Sequence, residues 1–382
     1  MRVLVVGLST RACVQSAVRS GYDVVSLDAF GDLDLEGLCP AYSLRRDFGI
    51  PFSAAGLFAG SRQVPHDALV YCSSLENYPS VVRRFARHCR ILGNPAEVLE
   101  RVRHWPTFFG ALSEAGFRTP ETVYNCEGHE ADPRKVWLRK PVRSGGGYRN
   151  TFWEPGAPVG QGFFLQEYLP GLSCSASFVA NGEDCVLIGL TEQLVGRPEL
   201  DARGFAYCGN ILPLEPARDP ETGPAILHQV QEIARWLTRT FGLIGVNGFD
   251  FILADGKVCP LEVNPRYSAS MELMEEAYGL PVFDLHMRAV LEGSLPKFNL
   301  ASQLGRGLFY GKGILYARQD FLAPDTRDWL RQGIRDVPHP GEKMRRGGPV
   351  CTLFAVAFTR DECFAGLIEV AETLKGEIYG EL

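Results

Sequence analysis

The chain has 382 residues, of which 46% are hydrophobic and 22% are charged. Its 39 Lys and Arg residues against 45 Asp and Glu give a net charge of −6, which argues against a nucleic-acid partner bound through bulk electrostatics. No apolar run approaches the roughly 20 residues that cross a bilayer, so no membrane partner is expected.

The first part of the chain predicts a small domain with a parallel sheet. A valine-rich strand over 2–8, a helix over 11–20 and a strand over 22–27 form a βαβ unit. Gly7 is not followed by the second and third glycines of a dinucleotide fingerprint, so a dinucleotide site is not predicted. A strand, a helix and a short strand follow at 68–71, 78–89 and 91–92, which gives a Rossmann-like domain over residues 1–94.

The remaining sequence predicts an α/β protein with two further domains. Residues 95–292 form a central α+β domain, and residues 293–382 form a small β-rich domain. The predicted helices of these two parts lie at 97–115, 224–241, 270–278, 283–291 and 360–375. A β-hairpin is predicted over 249–263, and strands are predicted at 313–316 and 349–358.

A glycine cluster follows a predicted strand in the central domain. The strand brings Lys140, and four residues later comes a run made of Ser144, Gly145, Gly146 and Gly147. A lysine supplies positive charge, and glycines let backbone N–H groups approach phosphate oxygens closely. The pattern is not a P-loop, and a simple flexible loop is the alternative interpretation.

The predicted hairpin carries a set of hard oxygen ligands. With a three-residue loop over 254–256, Leu253 faces Lys257, and Asp250, Glu262 and Asn264 then project from one side of the hairpin. A two-residue loop would turn Asp250 to the other face. Two carboxylates and an amide oxygen on an apolar hairpin suit Mg²⁺ that carries nucleotide phosphates. A solvated face with chance alternation is the alternative.

Taken together, the glycine cluster, the strand over 163–171 and the hairpin resemble the ATP-grasp superfamily in their order and spacing. Asn264, Pro265 and Arg266 match the N-P-R signature of that superfamily, and Asp250, Glu262 and Asn264 match its metal triad. The resemblance covers at least residues 90–290.

The resemblance implies specific roles for these residues. Lys140 would hold phosphates of ATP under a flap over 144–147, and Asp250, Glu262 and Asn264 would hold two Mg²⁺ (or Mn²⁺) ions. Arg266 would stabilise the transferring phosphoryl group or an oxyanion. The segment that meets adenine and ribose would contain Gln166, Glu167, Tyr168, Leu169 and Ser173.

The chain departs from the superfamily pattern at two places. Arg103 stands in the region where many members have an earlier phosphate-binding lysine, and Ser173 stands where many have a ribose-binding glutamate. Glu76 is a candidate to recognise an ammonium group, or alternatively a helix N-terminal carboxylate.

The resemblance implies an ATP-dependent carboxylate–amine ligase that acts through an acyl phosphate on a small metabolite or cofactor precursor, such as an amino acid addition in one-carbon cofactor biosynthesis. A biotin-carboxylase-like carboxylase and a non-catalytic nucleotide-binding subunit are the alternatives. The expected partners are a small carboxylate and an amine, and by analogy a second copy of the chain. Eleven cysteines without a C-x-x-C pair predict reduced thiols and a cytoplasmic location.

Overall fold

The computed structural model describes residues 1–124, 132, 134–305 and 307–380. The first region is a five-stranded parallel sheet with the strand order β3-β2-β1-β4-β5. Its strands are β1 (Val3–Val6), β2 (Val24–Asp28), β3 (Ala41–Ser43), β4 (Ala68–Tyr71) and β5 (Arg90–Ile91). Its helices are α1 (Arg11–Arg19), α2 (Leu33–Glu36), α3 (Leu44–Phe48), α4 (Ala54–Ser61) and α5 (Pro79–Ala86).

Helices cover both faces of this parallel sheet. Val3 and Val5 of β1 pack in one cluster with α1, whereas Leu4 and Val6 pack in another with α4 and α5. All four side chains of β1 are buried, as expected for a parallel strand whose two faces are both covered. The predicted parallel sheet is confirmed.

A four-stranded antiparallel sheet follows, with the order β6-β9-β7-β8. Two helices lead into it, α6 (Ala96–Arg103) and α7 (Trp105–Glu114). Its strands are β6 (Thr122–Val123), β7 (Trp137–Pro141), β8 (Thr151–Trp153) and β9 (Phe163–Glu167).

The prediction of one helix over 97–115 is wrong, because His104 has an extended backbone conformation and separates α6 from α7. A proline inside a continuous helix would lack an N–H donor and would clash with the preceding turn. The break places Pro106 in the first turn of α7, where neither penalty applies.

The largest element is a seven-stranded antiparallel sheet with the order β14-β13-β10-β11-β12-β15-β18. The strands in this part of the chain are β10 (Leu172–Asn181), β11 (Cys185–Val195), β12 (Tyr207–Leu212), β13 (Ile244–Ala254), β14 (Lys257–Asn264), β15 (Phe309–Tyr316), β16 (Phe321–Leu322), β17 (Lys343–Met344) and β18 (Pro349–Ala357). The helices are α8 (Gly223–Phe241), α9 (Met271–Tyr278), α10 (Val282–Glu292), α11 (Ala301–Leu304) and α12 (Arg360–Tyr379).

The seven-stranded sheet runs across the domain boundary predicted after residue 292. β15 pairs with β12, and β18 pairs with β15, so the strands of the last segment extend the sheet of the segment before it. The mixed α/β class is confirmed, and the residue limits of the three domains remain a prediction. None of the described helices is both long enough and apolar enough to cross a bilayer.

The predicted register of the hairpin formed by β13 and β14 is wrong. Ala254 faces Lys257, so the loop has two residues, and both Asp255 and Gly256 have the positive φ angles of a type I′ turn. In that register Asp250 would face Leu261. A β-bulge shifts the pairing so that Asp250 faces Glu262 instead. The conclusion that the two carboxylates share one face therefore survives for a different reason.

Candidate active site

The hairpin places two carboxylates and an amide side by side. Asp250 and Glu262 are cross-strand neighbours, and the side-chain amide of Asn264 donates a hydrogen bond to Asp250 Oδ2 over 3.1 Å. Burial raises the pKa of Asp250 to about 7, and repulsion from Glu262 contributes to the rise. Two oxygen-rich side chains that repel each other in a partly buried place fit a divalent cation, which would remove the repulsion.

The hairpin provides few side chains that could act as metal ligands. Within the described part of the chain, no group of three or more His, Cys, Asp or Glu side chains is arranged to hold a metal ion. The hairpin offers two carboxylates and one amide oxygen, and phosphate oxygens of a nucleotide are the natural source of further ligands for Mg²⁺.

Arg103, at the end of α6, lies against the same hairpin. Its Nη1 is 3.2 Å from Glu262 Oε2, and its Nη2 is 3.5 Å from Glu76 Oε1. Arg103, which stands in the region where many superfamily members have a lysine, therefore places its positive charge against the candidate metal ligand Glu262.

Glu76 joins the N-terminal domain to the hairpin. Arg266 Nη2 donates to Glu76 Oε1 over 2.7 Å and to Asn264 Oδ1 over 3.2 Å. Burial favours the neutral form of Glu76, but the charges of Arg266 and Arg103 lower its pKa below the usual value. Glu76 therefore forms salt bridges with two arginines. The sequence had suggested an ammonium group or a helix N-terminus as its partner.

Three polar atoms in this cluster are buried and have no hydrogen-bond partner among the described residues. They are Glu76 Oε2, Arg103 Nε and Arg266 Nε. Buried polar atoms are costly without partners, so these atoms indicate a place where a ligand or water completes the hydrogen bonding.

Lys140 and Gln166 lie on the neighbouring strands β7 and β9. Lys140 Nζ donates to Gln166 Oε1 over 2.9 Å, and Gln166 Nε2 donates to Thr122 Oγ1 over 3.1 Å. Burial lowers the pKa of Lys140, and the charges of Glu262 and Asp250 act against that shift. The structure thus brings Lys140 close enough to the hairpin for its charge to act on both carboxylates.

The glycine segment over 144–147 lies against two other parts of the molecule. The amide of Asn77 donates to the Ser144 carbonyl over 3.0 Å, and the N–H of Tyr207 donates to the Gly146 carbonyl over 2.9 Å. Gly147 has φ +71°, and a Cβ atom there would lie 1.8 Å from the Phe205 carbonyl oxygen. The segment therefore needs glycine at position 147 for this close approach. Gly145 has open space around it.

The remaining predicted residues lie at the end of β9, in the segment that follows it and on β10. Glu167 accepts a salt bridge from Lys135 over 3.2 Å, and Tyr168 packs edge-on against Phe152. Leu169 is half-buried. Ser173 shares the face of β10 with Ser175, which pairs with Asp250. Among the described residues, no hydrogen bond or salt bridge joins Glu167, Tyr168 or Leu169 to Asp250 or Glu262.

Sequence reasoning missed several charged residues close to this cluster. Lys312 on β15 and Glu272 on α9 are both buried and form a salt bridge. A lysine between Gly311 and Gly313 in an otherwise uncharged strand is a signal that the sequence did contain.

Comparison with known proteins identifies similar chains. Residues 106–270 match the family model of the ATP-grasp domain. The large chain of carbamoyl phosphate synthase from Clostridium perfringens is 25% identical over 187 residues, which are 49% of this chain and 16% of that protein. The chain thus spans only a small part of the length of this relative.

Two solved structures share the fold over nearly the whole chain. The L-amino acid ligase from Bacillus licheniformis has a TM-score of 0.69 at 14% identity, covering 99% of this chain and 97% of the ligase. The biotin carboxylase from Campylobacter jejuni, solved in a β-γ-ATP complex, has a TM-score of 0.70 at 12% identity, covering 95% and 89%.

Proposed function

We propose that the chain, whose residues 106–270 match the model of the ATP-grasp domain, is an ATP- and Mg²⁺-dependent ligase that activates a carboxylate as an acyl phosphate and joins it to an amine. The observation that carries the proposal is the convergence of Asp250, Glu262 and Asn264 with Lys140 and Arg266 around one hairpin. The substrates are a small acid and an amine, as in a cofactor or metabolite pathway.

The residues have distinct roles in this proposal. Asp250, Glu262 and Asn264 hold Mg²⁺, which supplies charge neutralisation for the phosphates when it is bound. Lys140 holds phosphate oxygens, and Gln166 fixes the position of the lysine through its 2.9 Å hydrogen bond. Backbone N–H groups over 144–147 cover the phosphates. The segment over 166–169 and Ser173 meet the adenosine.

Arg266 is the proposed catalytic arginine. Its guanidinium is held by Glu76 and by Asn264 Oδ1, so its orientation is fixed before any substrate binds. A preorganised cation beside the metal ligands stabilises negative charge that develops on a transferred phosphoryl group or a tetrahedral oxyanion.

A non-catalytic nucleotide-binding subunit is the second candidate, and one observation favours it. Arg103 contacts Glu262 and so already neutralises part of the charge that a metal would meet. A carboxylase is the third candidate, and it would release ADP with bicarbonate and no amine.

The first test is calorimetry of ATP binding with and without Mg²⁺, on the wild type and on Glu262→Gln. We expect Mg²⁺-dependent binding to the wild type and at least about tenfold weaker binding to the variant, because an ionic metal ligand is lost. The control is Glu114→Gln, an exposed glutamate at the end of α7, which should bind as the wild type does.

Absence of ATP binding to the wild type at millimolar concentration would refute the proposal. If ATP binds, ADP release is measured with pairs of acids and amines. Release only when both are present supports the ligase, release with bicarbonate alone supports a carboxylase, and no release with any pair supports the binding subunit.

A further inference from the structure

A cavity of about 90 Å³ lies beside the proposed catalytic arginine. It is bounded by the N-terminus of α1, by residues 266–269 and by Lys312 of β15. Arg266 lines this cavity and also contacts Asn264, so the cavity adjoins the metal hairpin.

The N-terminus of α1 presents free hydrogen-bond donors to the cavity. Thr10 does not cap the helix, because both its N–H and its hydroxyl donate to Asp28 Oδ2, over 3.1 and 2.8 Å. The first turn carries no acidic residue, and the N–H groups of Arg11, Ala12 and Cys13 have no partner among the described residues. All three residues line the cavity, and unpaired helix N–H groups attract anions.

Lys312 adds a buried cation to the cavity wall. Only 3% of the residue is exposed, and its Nζ is 2.5 Å from Glu272 Oε2 and 3.4 Å from the Ala269 carbonyl oxygen. Glu272 is also the partner of Arg11, so two cations share this one carboxylate. An ammonium group has three donors, and this arrangement leaves capacity for one more acceptor.

The carboxylate that lines the cavity, Asp336, shares the single charge of Arg11 with Glu272 and with Asp34, whose Oδ2 lies 3.6 Å from Arg11 Nε. Both oxygens of Asp336 accept from the guanidinium of Arg11, each over 3.0 Å. The donors left for a ligand are the unpaired N–H groups at the start of α1, one N–H of Lys312 and the unpartnered buried Nε of Arg266.

We propose that the acid substrate of the ligase carries a second anionic group in addition to the carboxylate that is activated, and that this cavity holds the second group between Lys312 and the N-terminus of α1. This inference rests on the proposed ligase function and specifies its substrate class. A carboxylate and a phosphate or phosphonate share the required chemistry.

The cavity volume limits the size of the group that the cavity can hold. About 90 Å³ corresponds to roughly three water molecules, enough for one anionic group and its adjoining carbons. The hydroxyl-bearing residues Ser9, Ser73 and Ser268 also line it, so the wall offers polar contacts rather than an apolar pocket.

The test compares ligands that differ by one charge. Binding of succinate, 3-phosphonopropionate and succinamate is measured by calorimetry on the wild type, on Lys312→Met and on Lys312→Arg. Lys375→Met is the matched control, since Lys375 is also buried but contacts Glu199 and Glu372 elsewhere in the molecule. Melting temperatures verify folding, and Mg²⁺-ATP binding is measured in parallel on every variant.

We expect at least one of the two dianions to bind the wild type at least about tenfold more tightly than succinamate, because a charge-assisted hydrogen bond is lost in the amide. The preference should disappear in Lys312→Met, remain within a few-fold in Lys312→Arg and be unchanged in Lys375→Met. Which dianion binds more tightly distinguishes a carboxylate from a phosphate as the natural group.

Equal binding of the three ligands, no binding of either dianion, or a preference that persists in Lys312→Met would overturn the inference. These results are separable from failure of the proposed function. If Mg²⁺-ATP binds normally while the dianions show no preference, only the substrate class is wrong. If ATP does not bind while the preference is present, the ligase function fails and the cavity remains an anion site.

Discussion

At the scale of single residues, Glu76 decides how the candidate site is assembled. It is 1% exposed, and Arg266 and Arg103 reach it from two different elements. A buried carboxylate that serves two buried cations is hard to replace, because its removal leaves two charges without their counter-charge.

We expect Glu76→Gln to lower the free energy of unfolding by about 3 kcal/mol, since it leaves buried cations uncompensated. The variant should also fix the orientation of the Arg266 side chain less firmly, because the salt bridge with Glu76 is lost. Urea unfolding measures the first effect. The matched control is Glu100→Gln, which breaks an Arg–Glu pair with Arg83 at the surface and should leave the urea midpoint nearly unchanged. Equal losses in the two variants would contradict the role of Glu76.

The sequence contained the residue types of the site but not all of their contacts. The candidate metal ligands at positions 250, 262 and 264 and the arginine at 266 lie on one hairpin and just after it, so a short stretch of sequence was enough to name them, although not to give their register. The ion pairs of Glu76 with Arg103 and Arg266 join residues 27 to 190 positions apart, and no local pattern encodes such contacts.

At the scale of elements, the hairpin shows how a correct conclusion can rest on a wrong register. Asp255-Gly256 strongly predicts a two-residue turn. With that turn and no bulge, Asp250 and Glu262 would lie on opposite faces of the hairpin. The bulge at Leu261 restores the shared face, because one extra residue reverses the parity of the strand. Since bulges depend on packing by the neighbouring strands, the sequence of the hairpin alone does not predict this one.

The glycine segment leads to a second prediction at this scale. Gly147→Ala should weaken Mg²⁺-ATP binding by about tenfold, because a side chain at positive φ beside the Phe205 carbonyl forces the segment away from β12. Titration calorimetry measures the affinity.

The control for this variant is Gly156→Ala. Gly156 also has a positive φ angle but has open space around it, so its replacement carries the backbone strain without the clash. Only Gly147→Ala should lose affinity, and its melting temperature should fall at least as far as that of Gly156→Ala, because it carries the clash in addition to the strain. An unchanged affinity in Gly147→Ala would show that the segment does not cover the nucleotide.

At the scale of the whole molecule, Arg11 links three parts of the chain. Its buried guanidinium, at the start of α1, pairs with Glu272 of α9 and with Asp336 in the last segment. Main-chain N–H groups also close this interface, since the N–H of Leu33 donates to the Val337 carbonyl over 2.8 Å and the N–H of Val337 donates to Asp34 Oδ1 over 3.0 Å.

Arg11→Met should therefore destabilise the whole chain by about 3–5 kcal/mol, the cost of leaving buried carboxylates without their partner. Arg19→Met on the same helix is the control. Arg19 is half exposed and pairs with Glu276, so the loss there should be small. Thermal unfolding followed by circular dichroism distinguishes the two, and a similar melting temperature for both variants would contradict the linking role.

The sequence predicted the fold class, but it did not predict that one sheet continues across the boundary between two predicted domains. Periodicity and the βαβ pattern gave the N-terminal sheet and the long helices, because these features are local. The pairing of β12 with β15 joins strands about a hundred residues apart in sequence, and it makes one sheet of two predicted domains.

That continuity limits how the protein can be divided. A chain cut after residue 292 would lose β15 and β18 and leave β12 as a bare sheet edge, with unpaired backbone groups open to other copies. Such a cut would also remove Lys312 and Asp336. The cavity beside Arg266 would then lack part of its wall. We therefore expect that the final segment cannot be replaced by an unrelated one unless the replacement also pairs with β12.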